Sequence, residues 1–290
     1  MKKHLALTST FPCLTLILVL LATLLATGAE AIELQGHEGK SIATATQQPP
    51  EQTARSAITI IDPPELEFFS KELVYQGIPI KVHAVVSDAA MFAAAEQIAR
   101  MLANLPTIAP KLVAAKVEIH IIGKDQVTTD LPEWRKDKGK PLPEYNGLTR
   151  DERTRGMGGR LVSCGEENLL KLENDRWRDR NILNHEFAHV IRNYAMPAKI
   201  RALFDQQYER SLKKGLWVKS YASTNPNEFF AELTMWYFGA RGDLAMTGPK
   251  PKNGREGLKK YDPEAFALFD DFYSGRITMV DGKVNVCKDK

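Results

Sequence analysis

The spacing of apolar positions changes about halfway along this chain. In the first half it suits short strands as well as helices. Ile78 to Val86 is rich in β-branched residues in partial alternation and predicts a strand. Asp88 to Leu105 predicts a helix. Met91, Ala95, Ile98, Met101 and Leu102 fall on one face, and Asp88 is placed to cap the start. Lys116 to Ile122 alternates Val117, Ile119 and Ile121 with Glu118 and His120, predicting a second strand, and Leu161 to Cys164 a short third. Between them, Leu131 to Gly159 is polar, charged and rich in Gly and Pro, and reads as a long surface loop bordering a cleft. Its basic stretch from Lys136 to Arg160 could meet acidic residues of a substrate, but a solvated loop is the better reading.

Order is expected to begin near Ile58-Thr59-Ile60-Ile61. The second half predicts helices at about Arg176–Ala195, Pro197–Lys214, Pro226–Phe238 and Pro263–Tyr273. No internal repeat is visible. The pattern predicts an α+β fold over residues 58–290, a small mixed sheet with helices followed by a helical subdomain. Trp177, Trp217 and Trp236 stand at scattered positions and read as core.

Ahead of this domain, Lys2 and Lys3 precede an apolar run from Phe11 to Ala26, and Ala29-Glu30-Ala31 supplies a small-x-small site. Residues 1–31 therefore read as a signal peptide cut after Ala31, which implies secretion and no membrane span in the mature chain. An uncut anchor is the competing reading, because the run is near the lower limit for crossing a bilayer. Residues 32–57, nearly devoid of large apolar side chains over Ser41–Ala57, read as a disordered linker. The net charge of +3 falls to 37 basic against 35 acidic residues, or +2, without Lys2, Lys3 and Glu30. So even a balance gives no reason to expect nucleic acid or an anionic membrane as partner. Cys164 and Cys287 remain in the mature chain; a bridge between them and two separate thiols are both open.

The chemistry is carried by Asn181-Ile-Leu-Asn-His185-Glu186-Phe-Ala-His189-Val-Ile-Arg-Asn-Tyr194, which contains HExxH. On a helix, residues four apart lie one turn apart on the same side, so His185 and His189 can aim two imidazoles at one metal ion. Glu186 then sits beside the pair as a general base. Leu183, Phe187, Val190, Ile191 and Tyr194 form an apolar stripe on another face, expected to be buried while the histidines face a cleft.

A catalytic zinc keeps three protein ligands and one open position. Arg192 and Ala195 occupy the places where a metzincin carries Gly and His, which excludes that branch. Downstream, Asn225 reads as an N-cap, Pro226 as the first helical residue and Glu228 as the capping-box position, with Glu232 one turn on. Paired carboxylates at this spacing divide naturally into a metal ligand, assigned to Glu228, and a partner for the free N–H of a ligating histidine, assigned to Glu232. The spacing itself leaves the reverse assignment open.

HEFAH followed by Tyr-x-x-x-Asn-x-x-Glu-Phe-Phe-Ala-Glu resembles the catalytic domain of anthrax lethal factor and the related secreted pro-pro endopeptidases, which are gluzincin metallopeptidases. The resemblance rests on His185, Glu186, His189, Tyr221, Thr224, Asn225, Glu228, Phe229, Phe230, Ala231 and Glu232, and covers roughly residues 176–240. It implies a zincin-like fold, one catalytic Zn²⁺ on His185, His189 and Glu228, Glu186 as general base, and Tyr221 assisting with its hydroxyl. It also implies a peptide or protein substrate. A toxin role and a preference for proline do not carry over.

Three other readings stay open on the sequence. The chain could be a catalytically silent secreted zinc-binding module, although metal binding alone does not need Glu186. It could hydrolyse a non-peptide amide, or be a structural domain on an export tether. If it is a peptidase, Gly159–Cys164 is expected to be an edge strand that a peptide extends, an ordinary buried strand being the alternative, with Gly165–Asn168 as the turn after it.

Overall fold

The computed structural model describes residues 57–242 and 245–287. The expected leader and linker fall outside these residues, Ala57 excepted. Three antiparallel strands open the domain: β1 (Thr59–Glu65), β2 (Phe69–Tyr75) and β3 (Ile78–Val82). Tyr75 pairs with Ile78 across a two-residue turn in which Gln76 and Gly77 have φ of 49° and 81°. Two left-handed residues match the twist of a hairpin, and Gly at the second position costs nothing.

Helices α1 (Asp88–Leu102) and α2 (Ile108–Ala114) then cross to β4 (Glu118–Ile122), which lies parallel to β3. A long excursion follows, ending in α3 (Arg150–Arg153) and β5 (Gly156–Met157), before β6 (Leu161–Gly165) joins parallel to β4. Among the described residues the strand order is β1-β2-β3-β4-β6-β5, with β5 antiparallel to β6 and forming one edge.

One face of the sheet is apolar. Leu73, Ile80, Ile119, Ile121 and Val162 pack with Met91, Ala94, Ile98 and Met101 of α1, all at most 2% exposed. The other face carries a charge cluster at its centre. Lys81 Nζ lies 2.9 Å from Glu118 and 3.0 Å from Glu65, and His120 Nδ1 lies 2.7 Å from Glu133.

The second half is built on α4 (Glu166–Leu170), α5 (Ile182–Val190), α6 (Ala198–Lys213), α7 (Pro226–Tyr237), α8 (Gly254–Tyr261) and α9 (Pro263–Tyr273). Phe204, Phe230 and Phe269 meet at ring distances of 4.8–5.3 Å, so aromatic edges and faces fill the space between α6, α7 and α9. Buried Asp262 ties α6 and α9 to the segment carrying Trp217. It caps α9 through the Ala265 N–H and accepts hydrogen bonds from Ser211 Oγ (2.6 Å) and Trp217 Nε1 (2.9 Å). A small hairpin, β7 (Ile277–Val280) and β8 (Lys283–Val286), closes the domain. No helix among the described residues is long and apolar enough to cross a membrane.

Several expectations are corrected. Ser87, not Asp88, caps α1; its Oγ accepts from the Ala90 N–H, and Asp88 instead pairs with Lys71. The region read as one helix over Arg176–Ala195 becomes helical only at Ile182. Asp175 holds the Trp177 N–H and Asn168 holds the Arg180 carbonyl, which commits the charged segment before Asn181 to an irregular path. After Val190 the helix widens into a π-turn over Ile191–Ala195, which rotates Tyr194 out of the expected apolar stripe. Tyr194 is 37% exposed, while Leu183, Phe187, Val190 and Ile191 are fully buried.

The predicted long loop contains α3 and β5 as well as two 3₁₀ helices, Pro132–Asp137 and Pro143–Tyr145. Strand β6 is not an edge, because β5 pairs along it. The residues read as a turn after it are the N-cap and first turn of α4, where Glu166 accepts from the Ser87 and Lys124 amides. Trp217 and Trp236 are core, but Trp177 is only half-buried. Cys164 and Cys287 are free thiols, the first buried and the second exposed.

The charge cluster under the sheet makes stability depend on pH. Burial by itself lowers the His120 pKa, but the bonds to Glu118 and Glu133 outweigh that and raise it. The hydrogen bond to His120, with Lys81 beside it, holds Glu118 at about 2 against the cost of burial. A raised histidine contributes fully below its unfolded value, about 6.5, and loses that contribution as pH rises through the folded value. The Tm of the wild type should therefore fall relative to His120→Gln on going upward from pH 6.5, and parallel Tm–pH curves for the two proteins would contradict the coupling.

Candidate active site

Helix α5 starts where two side chains take up its free N–H groups. Asn181 Oδ1 accepts from the Asn184 amide at 2.9 Å, and Asn168 Oδ1 from the Ile182 amide at 2.8 Å. Asn168 is held in turn by Asp175 at 2.9 Å. The buried residues Leu183, Phe187 and Val190 fix the rotation of α5 against the core, which leaves His185, Glu186 and His189 toward the cleft. Helix α7 starts as the sequence predicts: Asn225 Oδ1 caps the Asn227 and Glu228 amides at 2.9 and 3.0 Å, with Pro226 in the first turn. Because α5 and α7 pack side by side, Glu228 faces the histidine pair.

The meeting point is tight. His185 Nε2 and His189 Nε2 are 3.1 Å apart, and Glu228 Oε2 is 3.2 Å from the first and 3.4 Å from the second. Donors at 2.0–2.1 Å from a tetrahedral zinc ion lie about 3.3 Å apart along each edge, so the triangle has the dimensions of three such ligands. Its chemistry fits as well. Two imidazole nitrogens and a carboxylate are ordinary zinc ligands, and Glu228 Oε2 is buried without a hydrogen-bond donor aimed at it. Burial opposes charge on His185, but Glu228 and Glu232 outweigh it and push that ring up to about 10. Glu228 is pulled well below the usual carboxylate range by the two imidazoles, burial notwithstanding. Both shifts have one cause, the close approach of the imidazoles and the carboxylates.

Glu186 is outside the triangle, within 4.8 Å of both histidines. Burial raises its pKa, against the pull of the two imidazoles. Tyr221 stacks at 6.1 Å from the His185 ring, and burial raises its pKa too, so its hydroxyl stays protonated. Glu232 lies behind the triangle, fully buried, with Oε1 3.0 Å from His185 Nδ1. The structure therefore brings all six predicted residues together, with Glu228 at the shared point and Glu232 behind His185.

Two arginines with no sequence signal complete the frame. Arg180 grips Glu232 with both terminal nitrogens, at 2.6 and 3.2 Å. Arg192, on the π-turn, donates to Asn227 Oδ1 at 2.7 Å and pairs with Asp205, with the Phe230 ring 5.9 Å away. It connects the end of the histidine helix to the residue before Glu228.

The cleft in front of the triangle has a volume of about 210 Å³. Edge strand β5 forms one wall. A Cβ on Gly156 would meet the Ile182 side chain at 2.2 Å and the Ser163 carbonyl at 2.9 Å; one on Gly158 would meet Glu186 Oε2 at 3.0 Å. Only glycine lets the strand lie this close to the catalytic face. Tyr145, Arg153 and Trp177 line the rest, so the tryptophan expected in the core is a wall of the site.

Residues 89–272 match the family described as anthrax toxin lethal factor, N- and C-terminal domain. Among solved structures, the pro-pro endopeptidase PPEP-2 from Paenibacillus alvei is similar at 20% identity and a TM-score of 0.42, over 64% of this chain and 92% of that one. No match was found among curated proteins. With the family covering most of the domain and a His-Glu-His group poised to hold a metal, the chain belongs to the anthrax toxin lethal factor family and is a metallopeptidase of it.

Proposed function

We propose that this metallopeptidase is a secreted, zinc-dependent endopeptidase, with His185, His189 and Glu228 holding one zinc ion. The observation that carries this reading is the convergence of His185 Nε2, His189 Nε2 and Glu228 Oε2 within 3.4 Å of one another, next to Glu186. Zinc bound there supplies Lewis acidity, lowering the pKa of a water toward ~7 and polarising a peptide carbonyl.

The chain's own residues do the rest. Glu186, made more basic by burial, takes the proton from the attacking water and returns it to the departing amine nitrogen. Tyr221 keeps its proton and donates a hydrogen bond to the oxyanion as the carbonyl becomes tetrahedral. Glu232, itself gripped by Arg180, fixes the orientation of the His185 ring. The outer edge of β5 offers backbone groups with which an extended peptide can pair, and Gly156 and Gly158 keep that edge within reach of Glu186. Secretion rests on residues 1–31, with their basic start, apolar run and small-x-small site.

Glu186→Gln should retain zinc in stoichiometric amount yet lose at least about 10²-fold in kcat on a peptide library read by mass spectrometry. Wild-type turnover by that variant would overturn the mechanism. Arg192→Met removes the strut between the two ligand helices without touching a ligand. Zinc affinity, titrated against a chromogenic chelator, should fall by about 10–100-fold while the circular-dichroism spectrum is kept; unchanged affinity would remove Arg192 from the positioning scheme. Edman sequencing of the exported protein should start at Ile32, and an intact Met1 would refute processing after Ala31.

A further inference from the structure

We propose that Arg153 is a carboxylate-binding subsite of the cleft, which makes peptides with an acid group near the cleaved bond the preferred substrate class. The proposal rests on the peptidase reading above. Arginines surround the cleft, and all but one are committed. Arg150 is paired with Asp137 at 2.7 Å and stacked 4.0 Å from the Trp134 ring. Arg155 holds Glu167 through two nitrogens and reaches the Gln126 carbonyl at 2.6 Å. Arg176 donates to the Glu152 and Thr154 carbonyls, and Arg180 to Glu232. Arg153 lines the same cleft as His185, Glu186 and Tyr221, is half-buried, and has no ion-pair or side-chain hydrogen-bond partner among the described residues.

Charge balance isolates the same residue. A divalent cation against Glu186 and Glu228 sums to zero. Arg180 cancels Glu232 and Arg155 cancels Glu167. The guanidinium of Arg153 is the uncompensated charge of the cleft, and a half-closed cavity focuses its field on whatever enters.

Its anchorage is rigid. Arg153 ends α3, whose first turn is closed by a reciprocal cap between Thr149 and Glu152. Arg150 of the same turn is clamped to Asp137 and to the Tyr145 hydroxyl at 3.1 Å. A guanidinium carried on this fixed turn, in a partly desolvated cleft, presents a planar, two-pronged donor, and a carboxylate is the group that fits it. Trp177 and Tyr145, on the same walls, bound the space an apolar neighbour of that acid would occupy.

The test uses the zinc-loaded full-length protein and a peptide that the wild type cuts. Glu, Gln or Lys is placed at each of three positions on either side of the bond, and every peptide is made as free acid and as C-terminal amide. At one position the wild type should prefer Glu to Lys in kcat/KM by about 10–100-fold, the value of a hydrogen-bonded charge. Arg153→Gln should bring that ratio close to one, and Arg153→Glu should invert it. If the preference follows the free-acid arm rather than a Glu position, the carboxylate recognised is the chain terminus.

Binding gives an independent readout. In the Glu186→Gln background, Arg153→Gln should weaken the Kd of the acidic peptide by a similar factor and leave the Lys peptide where it was. The proposal is overturned if Arg153→Gln keeps the Glu/Lys ratio. It is equally overturned if kcat falls alike for every peptide, which would put Arg153 on the reacting atoms. A wild type that binds the acidic peptide through Arg153 but never cuts any peptide would keep the subsite and remove the peptidase reading; cleavage blind to acid groups would do the reverse.

Discussion

Three lone pairs meeting within 3.4 Å are the constraint around which this domain is organised. Held this close and away from solvent, they carry a cost of desolvation that only positive charge among them offsets. The protein nevertheless holds them there, and the means are spread widely. Two asparagine caps fix where α5 and α7 begin. A fully buried carboxylate lies 3.0 Å behind one imidazole. A π-turn brings an arginine to the neck of the opposing helix. Each of these alone is worth about 1–3 kcal/mol; together they preorganise a site that the ion can enter without rearranging the fold.

The apolar layers serve the same end. α5 is packed between β6 on one side and α7 on the other, so its histidine face cannot rotate without dislodging Phe187 and Val190 from the core. The aromatic cluster of Phe204, Phe230 and Phe269 lies under α7 and sets its height. The geometry of the site is thus inherited from packing at its back rather than from the loops at its mouth, which are free to specialise in recognition. Arg153 and Trp177 stand on those loops and on their short helix.

How much of this was legible in the sequence depended on the range of the signals. Pro263–Tyr273 came out residue for residue, because Pro at the first position and Asp262 before it are local marks of a helix start. The histidine pair and Glu228 were legible for the same reason: helical spacing and an N-cap need no tertiary information. The β2 strand escaped because Lys71, at a position beside Leu73 that faces α1, breaks the alternation; its ammonium is satisfied by the Val86 carbonyl and Asp88. The final hairpin did carry a local mark, Asp281-Gly282 at a turn with φ of 47° and 69°, which reads as a hairpin signal. Arg180 and Arg192 left none. Their partners lie 52 and 35 residues away, and one of them depends on a π-turn that no propensity announces.

The two thiols have a consequence for how the enzyme can be handled. Cys164 is sealed in the sheet and Cys287 stands alone at the end of the last hairpin, so the domain contains no covalent crosslink between them. Folding then draws on no covalent link between these two positions. Dithiothreitol has no bond between these two positions to break. Under the zinc reading proposed above, loss of activity to such a reagent points to competition for the metal, reversible on adding the ion back.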